Sequence, residues 1–196
     1  MRKLLIATTN QGKLNEIAPL LEGISFELLT LADFPGFAAP EETGRTFAEN
    51  ARAKAVYYTE VTRELTVAED SGLAIDALGG APGIESARYG GVHTSYPDKF
   101  ARIYEALRSK NALDSPARFV CAVALAREDR VIFETEGVIE GRIAVAPKGE
   151  DGFGYDPIFF YPPFGETLAE AGRRKSAVSH RGQAFRALRS FLSSGL

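Results

Sequence analysis

Residues 8–13, with the sequence Thr-Thr-Asn-Gln-Gly-Lys, have the composition of an anion-binding loop. The apolar run 4–7 before the loop predicts a strand, and the apolar spacing after it predicts a helix. Unpaired amides at a helix N-terminus attract an anion, Gly12 permits close backbone approach, and Lys13 adds a positive charge. A phosphate group would fit there, although such a turn is also an ordinary helix start. The glycine spacing of a P-loop is absent.

Acidic side chains at two further places could hold a cation. Glu42 lies in a loop before a helix, whereas Glu69 and Asp70 follow the apolar segment 65–68. This order predicts a strand that ends at the acidic pair, and open α/β sheets place ligand crevices at such strand ends. Mg²⁺ takes a few protein oxygens together with substrate phosphates, and Ser71 could donate to a phosphate oxygen. The alternative is that the loop acids are simply solvated.

The segment 152–157, Gly-Phe-Gly-Tyr-Asp-Pro, combines flexible glycines with two aromatic rings and one carboxylate. Such a loop could stack a base on Phe153 and bind the edge of that base through Asp156. An ordinary tight turn with a core aromatic side chain is an equally good interpretation of this segment alone.

Basic side chains follow at Lys175, His180 and Arg181, and the last two open a predicted helix. Cations at a helix N-terminus oppose the helix dipole, which favours a role in binding an anion or a base. A solvent-exposed histidine is the simpler interpretation of His180 taken alone.

Composition limits the class of protein. The 196 residues, 45% of them hydrophobic, suffice for one core or two closely packed lobes, and we predict a single domain over residues 1–196. The net charge of -3 and the lack of a basic stripe argue against nucleic acid as a partner. Cys121 lies in an apolar run and is predicted to be a buried, unreactive thiol. No apolar run reaches membrane-spanning length, which predicts a soluble, intracellular protein without a membrane partner.

The remaining elements indicate an α/β protein. Thr46 is predicted to cap a helix, with Glu49 reaching back to the cap. A second apolar segment over 73–78, a helix around 100–107, a hairpin over 119–139 and a final helix over 179–192 complete the pattern. Neither strict alternation nor a repeat is present, so a mixed sheet with helices packed on it fits best.

Taken in order, these segments closely resemble the inosine and xanthosine triphosphate pyrophosphatases, also called dITP/XTP pyrophosphatases. The resemblance spans residues 6–184, and the ordered series is far more specific than any one motif. It rests on the segments 7–13 with Glu16, 42–44, 46–51, 70–73, 79–83, 86–89 and 152–157, and on Lys175 with 179–182.

The resemblance implies two α/β lobes around an elongated mixed sheet, with the active site in the interlobe cleft. It also implies a cytoplasmic homodimer that cleanses the nucleotide pool. Its substrates would be non-standard purine nucleoside triphosphates (ITP, dITP and XTP). Water would attack the α-phosphorus, which releases a nucleoside monophosphate and pyrophosphate, with Mg²⁺ as the cofactor.

The resemblance also implies a role for each matching residue. Asp70 would be the proton acceptor and, with Glu42, would hold the metal. Phe153 would stack on the purine within the segment that includes Gly154 and Tyr155, and the 6-oxo edge would face Asp156, His180 and Arg181. The triphosphate would be held by Thr8, Thr9, Asn10, Gln11, Gly12, Lys13, Lys54, Ser71 and Lys175.

Physical chemistry supports much of this assignment. Asn50 and Lys54 are four apart, so one helix face can present both. Arg181 is a suitable donor to a 6-oxo group, and adenine would leave that donor unpaired. A metal-bound carboxylate is a poorer base, so Asp70 acts either as the proton acceptor or chiefly by orienting a metal-activated water.

Two other functions remain open at this stage. One is a pyrophosphatase of the related Maf-like fold with a different base preference. The other is a nucleotide sensor that keeps the pocket but lacks turnover, although a binding protein has no need of carboxylates that activate water.

Overall fold

The computed structural model describes residues 2–195 and contains seven strands and six α-helices within that range. The strands are β1 (Arg2–Ile6), β2 (Phe26–Thr30), β3 (Leu65–Ile75), β4 (Pro116–Arg127), β5 (Arg130–Ile143), β6 (Phe159–Tyr161) and β7 (Glu166–Thr167). The helices are α1 (Gln11–Leu20), α2 (Phe47–Thr62), α3 (Tyr96–Ser109), α4 (Leu168–Ala171), α5 (Lys175–Val178) and α6 (His180–Ser193). Within residues 2–195, no helix combines the length and apolar character needed to cross a membrane.

The strands form a mixed sheet in the order β2-β1-β3-β4-β5-β6-β7. Strand β1 runs parallel to β2 and β3, whereas β6 is antiparallel to both β5 and β7. The two pairing types confirm the prediction of a mixed α/β sheet. The short β6–β7 connection suits antiparallel neighbours.

The chain divides into two compact units, and neither unit is continuous in sequence. The first unit comprises residues 1–70, 121–137 and 180–196, and the second comprises 71–120 and 138–179. The chain therefore changes unit within β3, within β4 and within β5, and once more where α6 begins.

The first unit buries strand side chains on both faces of its part of the sheet. Successive side chains of a strand point to opposite faces. Leu4, Ile6 and Val67 pack in the cluster that contains buried apolar side chains of α1 and α6. Their strand neighbours Leu5 and Ala68 pack in the cluster that contains buried apolar side chains of α2.

The second unit has its own apolar core, built on α3. Phe100, Ile103 and Leu107 recur at helical spacing on its buried face. The hydroxyl of Tyr104 on the same helix donates to the carbonyl of Ala144 at 2.9 Å, which satisfies this polar group inside the core.

Strand β3 corrects one prediction. It runs without a break from Leu65 to Ile75, so Glu69 and Asp70 lie in its middle rather than at its end, and the turn expected at Ser71 is absent. Four consecutive polar or glycine residues are typical of a turn, but here the two carboxylates are buried and find cationic partners elsewhere in the chain.

Local helix signals were more reliable. Helix α2 begins after Thr46, whose side chain accepts a hydrogen bond from the Glu49 amide, as predicted. The Glu49 carboxylate accepts from the amide of Arg45 rather than from that of the cap residue. The final helix and the hairpin formed by β4 and β5 are also confirmed, each within a few residues of its predicted bounds.

Candidate active site

The carboxylate of Asp70 is held by two residues of α2 in the first unit. Asn50 Nδ2 donates to Asp70 Oδ2 at 3.0 Å, and Lys54 Nζ lies 3.5 Å from Asp70 Oδ1. Residues four apart share one face of a helix, so α2 presents both groups to the same strand position. The predicted common direction of Asn50 and Lys54 is therefore confirmed.

Glu42 shares the ammonium group of Lys54 with Asp70. Lys54 Nζ is 2.7 Å from Glu42 Oε1, and the side chains of Glu42 and Asp70 keep 24% and 7% of their exposure. Two carboxylates that approach one cation from different elements offer oxygen ligands for a divalent ion. In residues 2–195 no cluster of three or more histidine, cysteine or acidic side chains has metal-binding geometry, so this pair would need further oxygens from substrate or water.

Burial and charge shift the pKa values of Asp70 and Lys54 in opposite directions. Burial raises the pKa of Asp70 more than the nearby Lys54 charge and the Asn50 hydrogen bond lower it. Burial alone would lower the pKa of Lys54, but the charges of Asp70 and Glu42 raise it above its usual value. Lys54 therefore stays a cation, while Asp70 is a stronger base than an exposed aspartate.

The predicted anion-binding loop precedes α1, also in the first unit. The side chain of Asn10 caps the helix by accepting from the Lys13 amide at 3.1 Å, and Thr8 Oγ1 accepts from the Asn10 amide at 3.1 Å. Thr8, Thr9, Asn10, Gln11, Gly12 and Lys13 all stay exposed or partly exposed. An anion can therefore approach this loop from solvent.

Glu69 lies at the centre of a second set of ionic contacts. Its Oε1 atom is 2.8 Å from Lys13 Nζ and 3.4 Å from Arg181 Nη2, and the thiol of Cys121 donates to Oε2 at 3.2 Å. Arg181 Nη1 also contacts Glu16 Oε2 at 2.6 Å. We combine the ionised residues around Glu69 with those around Asp70, all in the first unit, under the name charged cluster: Lys13, Glu16, Glu42, Lys54, Glu69, Asp70 and Arg181.

The pKa values follow from these contacts. Burial alone would raise the pKa of Glu69, but the charges of Arg181 and Lys13 hold that pKa far below its usual range. Burial, and then the Glu69 charge, raises the pKa of Cys121 well above normal, so its thiol stays protonated. The prediction that Cys121 is a buried thiol is confirmed.

In the second unit, Asp156 connects a lysine to the predicted base-binding loop. Its Oδ2 atom lies 2.5 Å from Lys175 Nζ and accepts from the Phe153 amide at 2.9 Å. Lys175 Nζ also lies 5.2 Å from the centre of the Phe153 ring. Lys175, which was predicted to bind phosphate, therefore belongs to the same group of contacts as the residues predicted to bind the base.

Tyr155 is buried against other aromatic rings of the second unit. Its ring meets Tyr96 edge to face at 5.4 Å, and its hydroxyl donates to the carbonyl of Ser86 at 2.8 Å. Lys99 Nζ donates to the carbonyl of Ala87 at 2.5 Å and lies over the Tyr96 ring. We call Tyr96, Phe100, Phe153 and Tyr155, with the Lys175–Asp156 pair, the aromatic cluster.

The other predicted residues take simple positions. Ser71 follows Asp70 in β3 and is partly exposed, Gly154 has a positive φ of 70° in the loop, and His180 is buried as the first residue of α6. The contacts of Glu69 and Tyr96 were not foreseen. Because β3 continues through both residues, strand alternation places Glu69 and Asp70 on opposite faces.

Comparison with known proteins places this geometry in a family. The model of the Ham1 family matches residues 4–191, and this chain belongs to the Ham1 family. The prediction that the chain is an inosine and xanthosine triphosphate pyrophosphatase relative is thereby confirmed.

Individual relatives agree along the whole chain. A dITP/XTP pyrophosphatase of Gloeobacter violaceus is 50% identical over 100% of this chain and 96% of its own length. A HAM1 protein from Coxiella burnetii superposes with a TM-score of 0.93 at 38% identity and covers 100% of both chains. The Staphylococcus aureus Ham1 protein gives a TM-score of 0.87 at 34% identity, covering 98% of this chain and 99% of its own.

Proposed function

We propose that this chain is a pyrophosphatase that hydrolyses non-standard purine nucleoside triphosphates (ITP, dITP and XTP) to the monophosphate and pyrophosphate. The observation that carries the proposal is the Asp70 carboxylate, buried, held by Asn50 and Lys54, and sharing the Lys54 ammonium with Glu42. The relatives named dITP/XTP pyrophosphatase support the reaction and the class of substrate.

The phosphates would bind to the first unit. Lys13 and Lys54 supply positive charge, and the loop of residues 8–13 supplies exposed amides and hydroxyl groups. Ser71, which follows Asp70 in β3, would add a donor. Phosphoryl transfer depends mainly on positioning the phosphates and neutralising their charge, and these groups can supply most of both.

Charge balance supports a divalent ion as cofactor. The charged cluster has three cations and four carboxylates, which leaves a formal charge of -1 before substrate arrives. A polyanionic triphosphate needs added positive charge there. We propose that Glu42 and Asp70 would hold Mg²⁺ together with oxygens from substrate or water. The ion would neutralise phosphate charge and increase the acidity of a bound water.

Asp70, held by Asn50 and Lys54, is the carboxylate that we propose for the chemical step. It would orient the attacking water and accept its proton while the water oxygen bonds to the α-phosphorus. The bond from the α-phosphorus to the bridging oxygen of the β-phosphate breaks, and pyrophosphate leaves with that oxygen. Lys13 and Lys54 would stabilise the charge that develops on the phosphate oxygens.

In the second unit, base recognition would depend on the aromatic cluster. Phe153 would stack on the purine, beside Gly154 and Tyr155, and Asp156 and Lys175 would hold the Phe153 loop in place. Arg181 and His180 would donate to the 6-oxo edge. Arg181 contacts Glu16 and Glu69, and these two carboxylates hold its guanidinium in position.

We further propose that the protein works in the cytoplasm, since its substrates arise in the nucleotide pool. The resemblance to the dITP/XTP pyrophosphatases supports a homodimer as its assembly. Analytical ultracentrifugation at several protein concentrations would test the dimer, which a purely monomeric profile would exclude.

The decisive experiment is a pyrophosphate-release assay across ITP, dITP, XTP, ATP, GTP, dTTP and UTP, with Mg²⁺ and with a chelator. The proposal expects release to be fastest with ITP, dITP or XTP, to require Mg²⁺, and to yield monophosphate and pyrophosphate in equal amounts. Release from ATP, dTTP and UTP as fast as from ITP would instead favour a Maf-like base preference. Nucleotide binding without release would favour a sensor.

A further inference from the structure

Two adjacent carboxylates of β3 organise different partners. Side chains alternate along a strand, so Asp70 meets Asn50 and Lys54 of α2, while Glu69 meets Lys13 of α1 and Arg181 of α6. The proposed reaction uses Asp70 directly. It gives no role to Glu69, although Glu69 is the more deeply buried of the two.

A buried carboxylate is expensive unless its oxygens are satisfied. The side chain of Glu69 keeps only 1% of its exposure, and its two oxygens accept from Lys13, Arg181 and the Cys121 thiol. An apolar residue at this position would leave the buried Arg181 guanidinium without this counter-charge. Glu69 therefore pairs with two cations, and Lys13 keeps more exposure than Arg181.

The contact with Lys13 indicates a function for Glu69. A lysine side chain has a long flexible stem, and fixing it costs conformational entropy. Glu69 fixes the ammonium at 2.8 Å, while the Lys13 side chain keeps 18% of its exposure. An ammonium has more N–H donors than one carboxylate oxygen uses, so Lys13 can hold Glu69 and still donate to a phosphate oxygen.

We propose that Glu69 is a positioning residue that fixes the Lys13 ammonium for the phosphate of the reacting nucleotide. It acts through Lys13 without contacting the substrate, and its second contact with Arg181 keeps the carboxylate from following the lysine. The proposal rests on the proposed function to the extent that Lys13 is taken to bind phosphate.

The test compares Glu69→Gln with Lys13→Met in the full chain. Steady-state kinetics with ITP give kcat and KM, and calorimetry with inorganic tripolyphosphate gives phosphate binding without a base. In Glu69→Gln we expect kcat to fall about tenfold or more, because a misplacement of ~1 Å can cost about 10²-fold in rate. Tripolyphosphate should bind as tightly as to the wild type or more tightly, since one negative charge is lost. Lys13→Met should weaken this binding at least tenfold.

A second variant keeps the test decisive if Glu69→Gln does not fold. Glu69→Asp keeps the charge balance but shortens the side chain by one methylene, so it should fold and show a kcat between those of Glu69→Gln and the wild type. The matched control is Glu134→Gln, which makes the same change in an exposed pair with Arg52 and should leave kcat, KM and binding unchanged.

The outcomes separate the two ideas. If Glu69→Asp, and Glu69→Gln where it folds, keep kcat within twofold of the wild type while Lys13→Met weakens tripolyphosphate binding, the positioning role is wrong and the phosphate role of Lys13 stands. If Lys13→Met binds tripolyphosphate like the wild type, the phosphate site itself is wrong, and the role of Glu69 is wrong with it.

Discussion

The charged cluster and the aromatic cluster bury charge in different ways. In the charged cluster, Lys54 and Glu69 each contact two oppositely charged side chains, so every ion pair is part of a longer chain of contacts. In the aromatic cluster, Lys175 pairs with Asp156 and lies over the Phe153 ring. The first arrangement can redistribute charge when a polyanion binds, whereas the second holds a flat apolar surface in place.

The largest effect should come from the catalytic carboxylate of the charged cluster. Asp70→Asn keeps the shape but removes the base, so kcat should fall by about 10²-fold to 10⁴-fold. Binding of ITP, measured by calorimetry, should persist. The matched change Asp156→Asn in the aromatic cluster should instead raise KM, because Asp156 holds the Phe153 loop. A kcat within tenfold of the wild type for Asp70→Asn would contradict the role of Asp70.

The next effect should come from the aromatic cluster. Phe153→Ala removes the proposed stacking platform, and stacking contributes about 1–3 kcal/mol per base, so KM for ITP should rise about tenfold or more. Inhibition by inorganic tripolyphosphate should not change, since it has no base. Phe164→Ala is the control, because this ring lies against Arg174 and Tyr161 instead. Equal effects of the two substitutions on KM would exclude stacking on Phe153.

The two units should also respond to pH in opposite directions. The pKa of Glu69 is lowered in the fold by Arg181 and Lys13 against the effect of burial, so its stabilisation is present above pH ~4.5 and is lost as the pH falls. Burial raises the pKa of Tyr104 to about 12. The unfolded state ionises this phenol at about pH 10, so stability is lost as the pH rises from there.

Hydrogen exchange at several pH values would separate these losses. Exchange in α1 should increase first in acid, and exchange in α3 should increase first in alkali. Tyr104→Phe should cost about 1 kcal/mol at neutral pH through its hydrogen bond to Ala144, and should make the alkaline loss less steep. An unchanged alkaline slope in this variant would show that other groups control it.

The smallest effect should come from an ion pair outside both clusters. Arg52 and Glu134 form an exposed pair in the first unit, so Arg52→Gln should leave the thermal unfolding temperature and kcat almost unchanged. A loss of stability as large as that in Tyr104→Phe would mean that a single ion pair at the surface stabilises the fold. The contrast between isolated and linked ion pairs would then be wrong.

The sequence predicted those parts of the fold that depend on local interactions. The cap at Thr46, the hairpin and the final helix follow from spacing and capping within a few residues. The unbroken β3 could not be predicted in this way. Its central Glu69 and Asp70 look like a turn until Arg181, far away in the chain, is known to supply a counter-charge.

Site composition was easier to predict than the grouping of its members. The ordered motifs identified Asp70, Lys54 and Phe153 as candidates, and their chemical roles stay predictions. The motifs gave no indication that Lys175 pairs with Asp156, because a lysine and an aspartate nineteen positions apart can meet only through the tertiary fold. A family resemblance transfers residue types along a chain, whereas pair contacts require coordinates.

Each unit is built from separate segments of the chain, and this affects how the protein folds during synthesis. The first unit takes its opening strand from the beginning of the sequence and the buried face of α6 from its end, where Ala184, Leu188 and Leu192 complete the core around Leu4. A nascent chain therefore exposes that apolar surface on the ribosome until α6 emerges, which leaves the growing polypeptide dependent on protection from aggregation for most of its translation.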